Sequence, residues 1–345
     1  MHLTAPRKVL GSSSHGRGPL AGHMRRRDFI ATITASGVLA VLSPTYAETA
    51  ERIWRMGVLT TADYSIVRSV VLPYLATRGF VEGRNLVVDV RVGTAEQMPE
   101  LAQALVGGNP DVIIANSDWA LHPARAATSI IPIVAVMGAD PVQAGVAESW
   151  AHPGGNVTGV CLIAPELEIK RFSLLREALP SVHRIAVLSN HRKVVEASFL
   201  PLRKAAAEAG LELAEIWVES PNEYDTVFAA MRATGAEALL IVPTPELYRD
   251  TEQLGLLAVK NQLPTIGGFR ESARAGLLIG YGPNLKDLNR QAAGYVDRIL
   301  NGVQAGELPF QGPTHFDFAI NMKTAKALGL TIPPSFFVSA DEIIE

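Results

Sequence analysis

The chain has 345 residues, of which 48% are hydrophobic and 19% are charged, and its formal net charge is −3. This length and apolar content exclude a disordered chain and suit two globular domains. The single cysteine, Cys161, excludes an intrachain disulfide and a cysteine-based metal cage. The charge offers no broad basic surface for nucleic acid, and no apolar run reaches the roughly 18 residues that a membrane span needs.

Residues 1–47 read as an export leader. Three arginines at 25–27 precede an uncharged, moderately apolar stretch at 30–43, and Ala47 ends a small-residue cleavage pattern. Paired arginines before a weak apolar stretch favour the twin-arginine route. An ordinary Sec signal and a first helix of the domain are the alternatives, and Met24 could itself be the start.

Removal of residues 1–47 would take six basic residues and one acidic residue with it. The remaining chain carries 25 basic and 33 acidic side chains, a net charge of −8. No cysteine lies near Ala47 to carry a lipid anchor. We therefore expect an acidic, soluble, periplasmic protein that is cleaved near Ala47.

After the leader, short β-branched runs alternate with longer amphipathic stretches. Continuous apolar runs are typical of buried parallel strands. The first half is predicted to contain strands at 53–59, 86–92, 111–115 and 133–137 and helices at 66–77, 98–106 and 119–128. Four strand–helix units predict a doubly wound α/β domain.

A turn-forming cluster at 152–156 interrupts this alternation, which then starts again. The second half is predicted to contain strands at 185–189, 212–218, 238–242, 264–268 and 277–281 and helices at 169–177, 194–208 and 223–234. The tail is predicted to hold helices at 284–301 and 322–328 around a strand at 316–320.

The predicted fold class is therefore α/β, with two doubly wound domains joined by a multi-crossover hinge. The tail is too short for a third domain, so it is expected to complete the first two. The N-terminal lobe is predicted to span 52–158 plus 281–303, and the C-terminal lobe 159–280 plus 304–345. Crossovers are expected near Gly159, near Tyr281 and within 302–313, and the cleft between the lobes is the expected ligand site.

Motifs for catalysis are missing from the sequence. It has no G-x-S-x-G, Walker A or H-E-x-x-H pattern, and no histidine stands at metal-ligand spacing from another. We expect a protein without enzymatic activity, cofactor or metal. An isomerase or racemase on the same fold would need an acid–base pair across the cleft, and no His or Cys pair occupies matching strand ends.

Polar and aromatic residues follow several predicted strands, where an open α/β sheet presents its ligand. The predicted ligand contacts are Thr61, Asp63, Tyr64, Asn116, Ser117, Asp140, Asn190, Thr244, Phe269, Arg270 and Tyr281. We expect Asp140 or Asp63 to pair with a ligand ammonium, and Thr61, Asn116 and Ser117 to help hold a carboxylate. Helix N-capping is the alternative role for each Ser, Thr, Asp and Asn in this set.

Four sequence motifs resemble one family. They are Asp140-Pro141-Val142, Pro153-Gly154-Gly155-Asn156, Tyr281-Gly282-Pro283-Asn284 and Asn321-x-Lys323-Thr324-Ala325. The chain resembles the ABC transporter substrate-binding proteins that include tryptophan- and tyrosine-binding members. The resemblance implies a type I periplasmic-binding-protein fold with a three-crossover hinge.

The same resemblance implies a non-catalytic role, in which the protein delivers a small solute to a membrane permease with a cytoplasmic ATPase. We expect a monomer, and an aromatic or branched-chain amino acid is the leading ligand. A periplasmic sensory module is the alternative. A DNA-binding repressor of this fold would carry a helix-turn-helix where this chain carries its predicted leader.

Overall fold

The structure is a computed structural model, and it describes residues 52–61, 64–162, 164–190 and 192–345. These residues belong to one compact unit of the chain. The predicted leader and its cleavage site lie outside the described residues.

The first sheet has five parallel strands in the order β2-β1-β3-β4-β5. Its strands are β1 (Trp54–Thr60), β2 (Leu86–Val92), β3 (Val112–Asn116), β4 (Ile133–Met137) and β5 (Val157–Cys161). The inner strands β3 and β4, and β1 from Met56 to Leu59, read as apolar runs because helices cover both faces of the sheet.

Alternate residues of these strands enter different cores, since successive side chains in a strand point to opposite faces. The helices packed on the first sheet are α1 (Leu72–Thr77), α2 (Met98–Gly107), α3 (Asp118–Ala127) and α10 (Leu285–Leu300). A π-helical turn at Val67–Val71 precedes α1. Ile114 packs with Val71 and Val296, whereas Ile113 packs with Leu105 and Leu121. Helix α10, from the tail, thus covers one face of the first sheet.

The second sheet has seven strands in the order β12-β11-β10-β9-β8-β6-β7. They are β6 (Arg184–Ser189), β7 (Glu212–Trp217), β8 (Ala238–Ile241), β9 (Thr265–Gly267), β10 (Ile279–Pro283), β11 (Phe316–Asn321) and β12 (Glu342–Ile344). All neighbouring strands are parallel except β10 and β11, which pair antiparallel.

Helices again lie on both faces of this sheet. They are α4 (Ala164–Ala178), α5 (Arg192–Glu208), α6 (Tyr224–Ala233), α7 (Pro245–Arg249), α8 (Thr251–Lys260), α9 (Arg270–Arg274), α11 (Met322–Ala327) and α12 (Pro334–Ser339). Val187 packs with Phe172 and Phe199 on one face, and Leu188 packs with Phe228 on the other. Two doubly wound α/β sheets are therefore present, and the fold-class prediction is confirmed.

The chain passes between the two sheets three times. It leaves the first sheet after Cys161, returns to it from β10 to α10, and enters β11 after a segment at 305–311 that lies beside β5. The first passage thus begins two residues beyond Gly159, near which a crossover was expected, and Gly159 itself lies inside β5. Its tight packing there explains the glycine, because an added Cβ would lie 2.1 Å from the Ala135 carbonyl oxygen. The division into two rigid lobes stays a prediction.

A buried ion pair joins two of these passages. The Arg171 guanidinium donates to Glu168 Oε1 at 2.6 Å, to the Tyr281 carbonyl at 2.8 Å and to the Gly268 carbonyl at 3.0 Å. Both charged side chains are 1% exposed. Burial raises the pKa of the Glu168 carboxyl, and the Arg171 charge opposes that rise. We call Glu168, Arg171 and the two carbonyls the crossover cluster.

Glycine is required where β10 meets this cluster. A Cβ on Gly282 would lie 1.9 Å from the Gly268 carbonyl oxygen and 3.0 Å from the Arg171 guanidinium. Contacts that short do not occur between real atoms, so the backbone at Gly282 approaches its neighbours as only glycine can. The crossover cluster thereby fixes helix α4, the loop after β9 and strand β10 to one another.

Candidate ligand-binding site

A cavity of about 360 Å³ lies between the two sheets. Thr61, which follows β1, and residues 92–97, at the end of β2, line it from the first sheet. Its second wall follows the carboxyl ends of β6, β7 and β8 and consists of Asn190, residues 218–221, Tyr224, Glu246, Leu247 and Arg249. Ligands of open α/β sheets bind outside the carboxyl ends of the strands, so both sheets present their ligand-binding edge to this cleft cavity.

Two side-chain oxygens on these walls are buried without a hydrogen-bond partner among the described residues. They are Thr61 Oγ1 and Asn190 Oδ1, and the two residues are 6% and 7% exposed. A buried polar atom without a partner costs about 1–3 kcal/mol. Native proteins keep few such atoms, so a pair on opposite walls of one cavity makes this cavity the candidate site for a polar ligand.

Asn190 is held by a carboxylate of the same wall. Its side-chain Nδ2 donates to Glu246 Oε2 at 3.3 Å. Glu246 lies in the first turn of α7, and Thr244 caps that helix by accepting from the Leu247 backbone N–H at 3.4 Å. The Thr-Pro-Glu sequence thus begins a helix that directs an acidic side chain toward Asn190.

Tyr224 forms another part of the second wall. Its hydroxyl donates to Asp250 Oδ2 at 2.8 Å, and Arg249 donates to both oxygens of the same carboxylate. Burial is the larger cause and the hydrogen bond to Asp250 the next, and together they raise the pKa of the Tyr224 phenol far above its ordinary value. Tyr224 therefore stays protonated at physiological pH, and its ring is buried in the core behind the cavity wall.

Among the predicted contacts, the structure brings Thr61 and Asn190 together at this cavity. Asp63 lies outside the described residues. The Arg68 guanidinium lies over the Tyr64 ring, with its Cζ 5.3 Å from the ring centroid. Thr244 supports the cavity as the cap of α7.

Asn116 is the last residue of β3 and Ser117 follows it, and neither lines the cleft cavity. Ser117 caps α3 by accepting from the Ala120 backbone N–H at 3.2 Å. Beside it, Asp118 Oδ2 accepts from the Gly138 backbone N–H at 2.8 Å, while its Oδ1 is buried without a partner among the described residues. The N-cap alternative thus describes Ser117.

Asp140 uses both carboxylate oxygens within its own loop. Oδ1 accepts from the backbone N–H groups of Val142 and Gln143 at 2.8 Å each, and Oδ2 accepts from the Trp150 indole at 2.9 Å. Burial favours the protonated form, but these hydrogen bonds outweigh it and hold the pKa of Asp140 below its ordinary value. This geometry is that of a turn-stabilising residue.

The remaining predicted contacts do not line the cleft cavity. Phe269 packs edge-on against Tyr248, and Arg270 lies 3.4 Å from carboxylate oxygens of both Glu271 and Asp317. Tyr281 stacks on Phe316 and lines a separate cavity of about 300 Å³.

Glu246, Tyr224 and residues 92–97 line the cavity but were absent from the predicted contacts. The strand-end rule that selected Thr61 also applies to the loop after β2, so that loop could have been found. Tyr224 carried no such signal because it begins a helix, seven residues beyond the end of β7.

Comparisons with known proteins place the chain in a family. Residues 65–344 match the family described as ABC transporter substrate binding protein. A tyrosine-binding protein of Clostridioides difficile is 27% identical over 262 residues, which are 74% of each chain. The chain belongs to the family of ABC transporter substrate-binding proteins.

Solved structures share the fold. A conserved domain protein from Vibrio cholerae superposes with a TM-score of 0.78 at 26% identity, covering 85% of this chain and 100% of that one. An ABC domain in complex with L-Trp from Streptococcus pneumonia gives a TM-score of 0.77 at 21% identity, with the same coverage of both chains.

Among the described residues, no helix is both long and apolar enough to cross a membrane. The same residues contain no group of three His, Cys, Asp or Glu side chains placed to hold a metal ion.

Proposed function

We propose that this chain is the solute-capturing component of an ABC importer and that it binds an amino acid in the cleft cavity. The observation that carries the proposal is the pair of buried, unpartnered oxygens, Thr61 Oγ1 and Asn190 Oδ1, on opposite walls of that cavity. Its volume of about 360 Å³ lies in the range of roughly 300–1,000 Å³ that is usual for small-molecule sites.

An aromatic or branched-chain amino acid is the proposed ligand. Support comes from the relative named a tyrosine-binding protein and from the structural neighbour in complex with L-Trp. Leu247 and Val218 add apolar groups to the second wall of the cavity.

Ligand binding is proposed to close the cleft. The cavity walls follow strands of two different sheets, and three chain passages join those sheets. A ligand that contacts both walls binds the closed arrangement better than an open one and shifts the population toward closure. A permease with a cytoplasmic ATPase could then distinguish the loaded monomer from the empty one.

Export to the periplasm is part of the same proposal. The arginine pair Arg26-Arg27 and the small residues up to Ala47 support twin-arginine export with cleavage near Ala47. The intact mass of the exported protein tests the cleavage site, and full export after both arginines are replaced by lysine would refute the route.

Calorimetry and thermal unfolding of the exported protein with L-tryptophan, L-tyrosine, L-leucine, L-isoleucine and L-valine test the ligand class. We expect saturable binding, with about 2.7 kcal/mol of added stability at 100 times the Kd. Small-angle scattering should show a smaller radius of gyration with the bound amino acid. Absence of binding to all five, together with binding of a solute lacking an ammonium, would overturn the amino-acid proposal.

A further inference from the structure

The orientation of the Asn190 amide is set by chemistry. Glu246, when ionised, can only accept hydrogen bonds, whereas an amide has one donating end and one accepting end. The donating Nδ2 must therefore lie toward Glu246, 3.3 Å from Oε2. This leaves Oδ1, an acceptor, as the atom of the buried amide that has no partner among the described residues.

A second unpartnered oxygen faces the same cavity. Thr61 Oγ1 on the opposite wall is buried without a partner among the described residues, and a hydroxyl oxygen accepts as well as donates. The Glu246 carboxylate adds negative charge to the Asn190 side of the cavity. An ammonium group, with three N–H donors and a positive charge, is the ligand group that matches this set.

We propose that Asn190 Oδ1 accepts a hydrogen bond from the ligand's ammonium, and that Glu246 is the positioning residue that sets the Asn190 amide for it. This inference rests on the proposed function and deepens it. The cavity then selects solutes that carry a primary ammonium over acids of the same shape that lack one. Glu246 acts through Asn190 and through its charge. Loss of the Glu246 carboxylate therefore lowers the selectivity for ammonium-bearing solutes and leaves the fold intact.

The test compares L-tyrosine, L-tryptophan and L-leucine with their desamino acids, which keep the carboxylate and the side chain but lack the ammonium. Calorimetry on the exported protein gives the affinity ratio for each matched pair. We expect the wild type to prefer each amino acid that it binds.

Glu246→Gln should weaken amino-acid binding about 10- to 100-fold, because a glutamine can also donate and no longer fixes the amide orientation. Its effect on the desamino acid should be within about threefold. Asn190→Leu should lower the ratio in the same way, since it removes the acceptor. If Asn190→Leu fails to give cooperative melting, Glu246→Gln decides the outcome, since its side chain is only partly buried.

Glu252→Gln is the matched control. Glu252 is an exposed carboxylate in the first turn of α8, as Glu246 is in the first turn of α7, but it does not line the cleft cavity. We expect its affinity ratio to equal that of the wild type. An equal loss in Glu252→Gln and Glu246→Gln would show a general charge effect and overturn the positioning role.

An unchanged ratio in both Glu246→Gln and Asn190→Leu, with intact wild-type binding, would overturn this inference alone. A wild type that binds none of the three amino acids would overturn the proposed ligand class, and this inference with it.

Discussion

Arg171 and Asn190 are both more than nine-tenths buried, yet their polar groups are used differently. In the crossover cluster, the Arg171 guanidinium donates to Glu168 and to two backbone carbonyls. In the cleft cavity, Asn190 donates to Glu246 and keeps an oxygen without a partner among the described residues. The bonded Arg171 guanidinium fixes the fold at the passages, whereas an unbonded acceptor on a cavity wall has capacity for a ligand. Substitutions in the two regions should therefore change different quantities.

Arg171→Met should produce the largest loss of stability. It leaves the Glu168 carboxylate buried without its cation and removes the donors from two carbonyls. Removing one partner of a buried ion pair costs about 3–5 kcal/mol in the free energy of unfolding. Chemical denaturation followed by circular dichroism measures this loss.

Two controls sharpen that measurement. Arg274→Met breaks a half-exposed pair with Glu342, which should cost at most about 1 kcal/mol. The double variant Arg171→Met/Glu168→Leu should recover much of the loss, because it removes both buried charges. A loss below about 1 kcal/mol in Arg171→Met would show that the crossover cluster does not hold the passages together.

Asp140→Asn should have an intermediate effect. An asparagine cannot serve both the two backbone N–H groups and the Trp150 indole, so about 1–2 kcal/mol of stability should be lost at neutral pH. Amino-acid affinity should change by less than about threefold. A large loss of affinity with unchanged stability would instead assign Asp140 to the ligand's ammonium.

The pH dependence of the stability difference between wild type and Asp140→Asn provides an independent check on the role of Asp140. Hydrogen bonds keep the folded pKa of Asp140 below its ordinary value near 3.8, although burial opposes them. Such a carboxyl contributes stability above its unfolded pKa, and loses that contribution as the pH falls through the folded pKa. The stability gap between wild type and Asp140→Asn should therefore be constant from pH 7 to about pH 5 and narrow below about pH 4.

Much of the fold could be predicted from sequence because most strands are buried apolar runs. The predicted strands at 86–92 and 133–137 match β2 and β4 residue for residue, and others differ by a few residues. Strand β5 was missed because Val-Thr-Gly-Val-Cys contains a glycine and follows a turn cluster. The glycine is explained by the approach of Ala135, which is a tertiary contact and leaves no local pattern.

The site was harder to predict than the fold. The strand-end rule selected Thr61 and Asn190 correctly as cavity residues, but it selected Ser117 and Asp140 by the same pattern. A polar residue after a strand can cap a helix, close a turn or contact a ligand, and these roles have the same local sequence. Only the hydrogen-bond partners distinguish them, and those partners depend on how the chain packs.

Thr61→Val should change stability less than either Arg171→Met or Asp140→Asn. Valine has nearly the shape of threonine, and the substitution removes a buried hydroxyl that has no partner among the described residues, so stability should change by less than about 1 kcal/mol. Affinity for the bound amino acid should nevertheless fall about tenfold, the value of one hydrogen bond. Thermal unfolding and calorimetry on the same sample separate the two effects. A clear loss of stability with unchanged affinity would place Thr61 with the bonded residues of the crossover cluster and remove it from the ligand site.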